Sequence, residues 1–134
     1  MNADLSFEEY FETTVECLWA AIATSSALAE WLMPNDFQPK VGHRFNFRCE
    51  GHGRGRIESE VVECSPPRRL VFTWIDTDEG APMRVEIDLR PQGSGTLLSL
   101  RHTGPTEPGN AAALKNGWPG KLGHLRVLVA RTRS

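Results

Sequence analysis

The chain has little cysteine and no apolar run long enough to cross a membrane. Cys17, Cys49 and Cys64 are its three cysteines, and they show no CxxC spacing. This favours reduced, mostly buried thiols over a disulfide framework or a zinc site. No stretch approaches the ~18 apolar residues of a membrane helix, and the start MNADLSFEEYFE lacks the basic and apolar segments of a signal peptide. We therefore expect a cytoplasmic protein that has no membrane partner.

The chain also lacks an excess of positive charge and a recognisable catalytic motif. The formal net charge is −2 and the basic residues are scattered, so we expect no nucleic-acid partner. The histidines form no ligand pair at helical or hairpin spacing, and we expect no metal and no other cofactor; they are His43, His52, His102 and His124. Because a Gly-rich phosphate loop and a G-x-S-x-G element are also missing, we assign no catalytic residue.

The composition that remains is that of an ordinary globular protein. The chain has 134 residues, of which 40% are hydrophobic and 24% charged, and this predicts one domain over residues 1–134. We expect a monomer or a homodimer.

The first third of the chain predicts one strand and two short helices. Phe7 and Phe11 share strand spacing within residues 6–12. A capping-box pattern at Thr13 and Glu16 then opens a helix over about 14–23. The second helix, capped by Thr24 or Ser25, places Leu28, Trp31 and Leu32 on one face and stops before Pro34.

From residue 36 onward the pattern predicts about six consecutive antiparallel strands and then a long helix. The alternation of apolar and polar residues shifts by one position near Val61 and Val62, which indicates a β-bulge. The segment SPPRR in 65–69 predicts the turn of the next hairpin. GHGRG, TDEGAP and QGSG predict further turns. The last helix covers about 111–130, and Pro119 predicts a kink near Trp118.

Four segments, in order, resemble one protein family. They are TTVECLWAAIATSSALAEWL, VVECSPPRRLVFTW, GTLLSLRHTG and GWPGKLGHL, and they are similar to segments of the activator of heat-shock-ninety-ATPase homology family. The resemblance spans most of residues 7–129. It implies membership of the START-like (SRPBCC, birch-pollen-allergen-like) superfamily and an α+β helix-grip fold, in which a curved antiparallel sheet of about seven strands wraps around the long carboxy-terminal helix. The final helix departs from the usual pattern, because GKLGHL stands where an acidic residue commonly follows the leucine.

The helix-grip fold implies an apolar cavity between the sheet and the last helix. The alternation of side chains along each strand indicates which residues would line it. Alternate residues of the strands face that helix, so they line either a packed core or a pocket. The predicted ligand-binding residues are Trp31, Phe45, Phe47, Phe72, Trp74, Met83, Val85, Leu98, Leu100, His102, Trp118 and Leu122. We expect a hydrophobic small molecule, such as a lipid or polyketide, as the partner.

Two other functions are compatible with the same superfamily. A polyketide-cyclase-like enzyme would use the cavity with a polar group such as His102 or Ser59. A chaperone-partner role is suggested by the family name alone. His102 also has a structural interpretation, as a histidine that donates a hydrogen bond to a nearby carbonyl. Arg68 and Arg69 suggest either anion binding or a solvated hairpin end.

Overall fold

The computed structural model describes residues 1–49, 55–75 and 81–132. The predicted turns GHGRG and TDEGAP, together with His52, lie mostly or wholly outside these ranges. The elements, in chain order, are β1 (Asn2–Phe11), α1 (Val15–Ile22), α2 (Ser25–Trp31), β2 (Arg44–Arg48), β3 (Arg56–Ser65), β4 (Arg69–Trp74), β5 (Met83–Gln92), β6 (Gly95–Pro105) and α3 (Pro108–Thr132).

The strands form one antiparallel sheet, and α3 packs across its concave face. Strand order is β1-β6-β5-β4-β3-β2, so neighbours in sequence pair directly except for β1, which closes against β6. This confirms the α+β helix-grip prediction. QGSG forms the β5–β6 turn, where Gly93 has a φ of 59° in the left-handed region that glycine adopts without steric cost.

The predicted strand count was too high. Among the described residues the sheet has six strands, so five rather than six follow the short helices. The segment from Asp36 to His43 forms no strand, because Pro39 and Gly42 interrupt it and the Asp36 side chain accepts a hydrogen bond from the Asn46 amide at 2.7 Å. The outer edge of β2 is met instead by the residues just before this segment, where Asn35 forms an isolated bridge with Phe47 and the Pro34 carbonyl accepts from the Arg48 amide at 2.8 Å.

The short helices begin where the sequence predicted, and Thr24 is the N-cap of α2 as expected, but α1 uses a different cap. Thr14 rather than Thr13 accepts the hydrogen bond from the Cys17 amide, at 3.1 Å, and so satisfies one of the first orphan donors of α1. Thr24 stands at the start of α2, but its hydroxyl donates to the Ala20 carbonyl at 2.9 Å. The Trp31 indole then donates to the Ala21 carbonyl at 2.8 Å and fastens α2 to α1.

β3 contains a bulge at the position where the alternation of apolar and polar residues shifts by one. The pairing of β3 with β4 runs Val61 to Phe72 and then Glu63 to Val71, which leaves Val62 without a partner position. The prediction of a bulge is therefore confirmed. The extra residue directs Val62 to solvent, where it is 40% exposed, while Val61 stays buried.

Ion pairs cover the convex face of the sheet. The Arg69 guanidinium lies 2.9 Å from Glu63, 3.5 Å from Glu86 and 2.8 Å from Asp88. The hydrogen bond to Asp88, the largest cause, raises the pKa of Arg69 above its usual value. Because three carboxylates already surround this guanidinium, the contacts favour the solvated hairpin end over anion binding.

The cysteines are free thiols, but they are half-buried rather than mostly buried. Burial raises the pKa of the Cys64 thiol. Within the residues described, no three His, Cys, Asp or Glu side chains cluster in a way that would hold a metal ion. In the same ranges, no helix combines the length and the apolar character that a membrane span requires.

Candidate functional site

Aromatic rings from β2 and β4 pack together at one end of the concave face of the sheet. The Phe45 ring centroid lies 5.2 Å from Phe47 and 5.8 Å from Phe72, and Phe47 lies 5.9 Å from Trp74. These separations are those of rings in direct contact. Under β2, β3 and β4 the apolar side of the sheet is therefore a packed core.

The row continues from Trp74 to the long helix through His102 and Trp118. The Trp74 ring centroid lies 5.0 Å from His102 and 5.7 Å from Trp118. The Trp118 indole N–H donates to His102 Nδ1 at 2.9 Å, and the bond is buried. Because Nδ1 accepts this bond, it carries no proton, and neutral His102 has its proton on Nε2. His102 thus holds Trp118 in place by accepting a hydrogen bond from its indole, whereas the structural interpretation expected His102 to donate to a carbonyl.

A crevice opens beyond the two tryptophans, at the end of the sheet where β2 and β4 finish. It has a volume of about 100 Å³ and is almost wholly apolar. One wall comes from Trp74 and the end of α2, and the other from the first half of α3. The crevice is lined by Leu32, Met33, Trp74, Ala113, Leu114, Gly117, Trp118 and Lys121.

Small residues on α3 keep this crevice open. Ala113 and Gly117 are one helical turn apart on the stripe that faces it. A Cβ built on Gly117 would meet no heavy atom within 4 Å, so a larger side chain at this position of the lining would have room. Opposite them, Met33 Sδ lies 3.2 Å from Cys49 Sγ, which holds the flexible thioether against the crevice floor.

The predicted ligand-binding residues divide between the crevice and the core. Trp74 and Trp118 line the crevice, and His102 lies directly behind them. The others lie buried in the core, in the part of the chain that the structure describes. These are Trp31, Phe45, Phe47, Phe72, Met83, Val85, Leu98, Leu100 and Leu122. A role for any of them in binding stays a prediction.

Sequence reasoning missed the other crevice residues. The alternation of side chains along β4 identified Trp74 as facing the helix. Leu32 and Met33 follow α2, outside any strand, so no such alternation identifies them. A signal did exist on α3, because Ala113, Gly117 and Lys121 recur every four residues and so share one stripe of the helix. Small residues on a stripe beside Trp118 indicate a place where the helix leaves space.

Ser59 is a polar residue within the packed part of the concave face. It is paired with Phe45 across β2 and β3 and is 5% exposed. Its hydroxyl has no hydrogen-bond partner among the described residues. Neither Ser59 nor His102 belongs to the described lining of the crevice, so the contacts do not bring the two residues considered for a cyclase reaction to the open space.

The fold and the site define a class of protein. A curved antiparallel sheet that holds a long carboxy-terminal helix, with an apolar opening between them, is the START-like helix-grip architecture. Within that class, residues 12–130 match the family model described as activator of Hsp90 ATPase homolog 1-like protein, and the chain belongs to this family.

Solved structures agree with this assignment. Protein MLL2253 from Mesorhizobium loti is 30% identical, with a TM-score of 0.90 over 98% of this chain and 99% of that one. Bacillus halodurans protein BH1534 is 27% identical, with a TM-score of 0.79 over 94% and 96%. CalU16 from Micromonospora echinospora shares the fold at 24% identity and a TM-score of 0.77, over 94% and 75%. No curated protein matches the chain.

Proposed function

We propose that this protein binds a small apolar or aromatic molecule, and that the molecule enters the crevice beside Trp74 and Trp118. The observation that carries this proposal is the contrast within one row of aromatic rings. The rings of Phe45, Phe47 and Phe72 pack directly against one another. Trp74 and Trp118, in contrast, border about 100 Å³ of apolar space. Apolar pockets that contain few polar groups are typical of small-molecule sites.

The volume limits the size of the ligand. An engineered apolar cavity of ~150 Å³ accommodates benzene, while sites for drug-sized ligands span roughly 300–1,000 Å³. A crevice of about 100 Å³ therefore suits one aromatic ring or the end of an alkyl chain. Larger ligands would extend over the solvent-facing side of α3 or displace Met33, whose unbranched side chain adapts easily.

The described contacts favour binding over a cyclase reaction. His102 uses Nδ1 to accept the Trp118 hydrogen bond, and Ser59 lies on the strand β3, among the aromatic rings of the core. No described residue that lines the crevice is a carboxylate, histidine or hydroxyl side chain. Lys121 is the proton donor in that described lining, and its ammonium is hydrogen-bonded to the Leu32 carbonyl.

Filling the crevice tests the proposal. Gly117→Leu places a side chain in free space at the lining of the crevice, and Gly123→Leu places the same side chain on the same helix, away from it. Both changes remove a helical glycine and should raise stability by ~1 kcal/mol. Loss of binding in Gly117→Leu would therefore not come from unfolding.

The readouts are the melting temperature and tryptophan fluorescence, measured with indole, toluene, phenol and octanol. A ligand of the folded state at a hundredfold excess over Kd adds ~2.7 kcal/mol to stability. We expect both signals in the wild type and in Gly123→Leu, and neither in Gly117→Leu. If no compound changes the wild type, or if Gly117→Leu responds like the wild type, the proposal is wrong.

A further inference from the structure

Lys121 is the charged residue among the described residues that line the crevice. It is half-buried on α3, one helical turn after Gly117, and its ammonium donates to the Leu32 carbonyl at 3.0 Å. This carbonyl belongs to Leu32, the C-cap that directly follows α2, where a cation interacts favourably with the helix dipole. The contact fixes the ammonium at the rim of the apolar space.

Lys121 differs from the arginines that form ion pairs in the described part of the chain. Arg69, Arg84 and Arg126 each lie within ion-pair distance of a carboxylate. Over residues 1–49, 55–75 and 81–132, Lys121 has no such carboxylate neighbour, and its recorded partner is a neutral carbonyl. An ammonium has further N–H donors beyond the one used here. The rim of the crevice therefore carries a positive charge that no described side chain balances.

We propose that Lys121 binds the anionic group of an amphipathic ligand, such as the carboxylate of an aromatic acid or a short fatty acid. The apolar part of that ligand would lie between Trp74 and the small residues of α3. This inference rests on the proposed function and adds the chemical class of the ligand. A carboxylate at this position would receive a charge-assisted hydrogen bond beside a low-dielectric wall, where such bonds are strong.

Matched acids and alcohols test the role of the charge. Phenylacetate and 2-phenylethanol form one pair, and octanoate and octanol form another, so that each pair differs chiefly in the anionic group. We expect the wild type to bind each acid roughly tenfold more tightly than its alcohol. The preference should shrink as salt is raised, because ions screen a charge at the surface.

Two variants separate binding from structure. Lys121→Gln removes the charge but keeps an N–H that reaches toward the Leu32 carbonyl, and Lys115→Gln removes an exposed charge of the same helix outside the crevice lining. We expect Lys121→Gln to bind acid and alcohol equally. Lys115→Gln should keep the tenfold preference within a factor of ~2.

The outcomes separate this inference from the proposed function. If the wild type binds acid and alcohol equally, or if Lys121→Gln weakens both to the same degree, the anion-binding role is wrong while the apolar site stands. If neither member of any pair binds, the proposed function fails and the role of Lys121 fails with it. A preference for acids that survives in Lys121→Gln would also overturn the assignment.

Discussion

The two halves of α3 pack in different ways against the same sheet. The second half, residues 122–132, buries Leu122, Leu125, Leu128 and Val129 at helical spacing. In the first half, residues 108–121, the buried residues are Ala111 and Trp118, and the stripe facing α2 carries small side chains. The second half of α3 therefore contributes four large apolar side chains to the core, whereas the first half contributes Trp118 and borders the apolar crevice.

The second half should carry most of the stability that α3 supplies. Leu125 is fully buried, so Leu125→Ala should lower the free energy of unfolding by about 2–5 kcal/mol through the cavity it leaves. Urea unfolding measures this loss. Val127→Ala is the matched control, because Val127 is 60% exposed and its truncation should change stability by no more than ~0.5 kcal/mol. Similar losses for both variants would contradict the packing described.

Trp118 is the one large side chain that the first half buries, and its bond to His102 should hold that half in place. His102→Leu leaves the indole N–H buried without its acceptor, which should cost about 1–3 kcal/mol. Combining His102→Leu with Trp118→Phe removes both partners, so the loss in the double variant should be less than the sum of the single losses. Strict additivity in urea unfolding would show that the bond contributes nothing.

Pro119 lies inside α3, where the two halves meet. Its ring removes one backbone donor, so Pro119→Ala should change stability mildly, upward by ~1 kcal/mol, while altering ligand affinity through its neighbours Trp118 and Lys121. Gly123→Ala should give a similar stability gain without any change in affinity. Calorimetric titration with the best aromatic ligand compares the two. Severe unfolding of Pro119→Ala with unchanged affinity would contradict the expectation.

The strands were predictable because each is marked by a local alternation of apolar and polar residues. Phe45 and Phe47 face inward and Arg44 faces solvent, as the two-residue repeat of a strand requires. The bulge at Val61 was also visible in the sequence, as a one-residue shift in the alternation of apolar and polar residues. The start of β1 was not predictable. Asn2, Ala3 and Asp4 have weak strand character, and their conformation comes from pairing with β6 across the fold.

The crevice was predictable on its sheet side alone. Trp74 could be identified from parity within one strand, and Trp118 from helical spacing. Met33 could not, because its position depends on how the end of α2 meets α3, which is a tertiary contact between segments far apart in sequence. Such an opening results from the absence of packing between elements, and local patterns do not encode it.

The indoles of Trp74 and Trp118 also form an optical pair. Their ring centroids lie 5.7 Å apart and their planes meet at 48°, so their excited states should couple and produce a circular-dichroism couplet in the ultraviolet. The coupling depends on the mutual orientation of the rings, so a molecule that slightly turned one indole would reshape the couplet. Trp19 and Trp31, on the short helices, lie outside the ring contacts that Trp74 and Trp118 make. Circular dichroism in the ultraviolet should therefore report on a molecule that enters the crevice, without any added label.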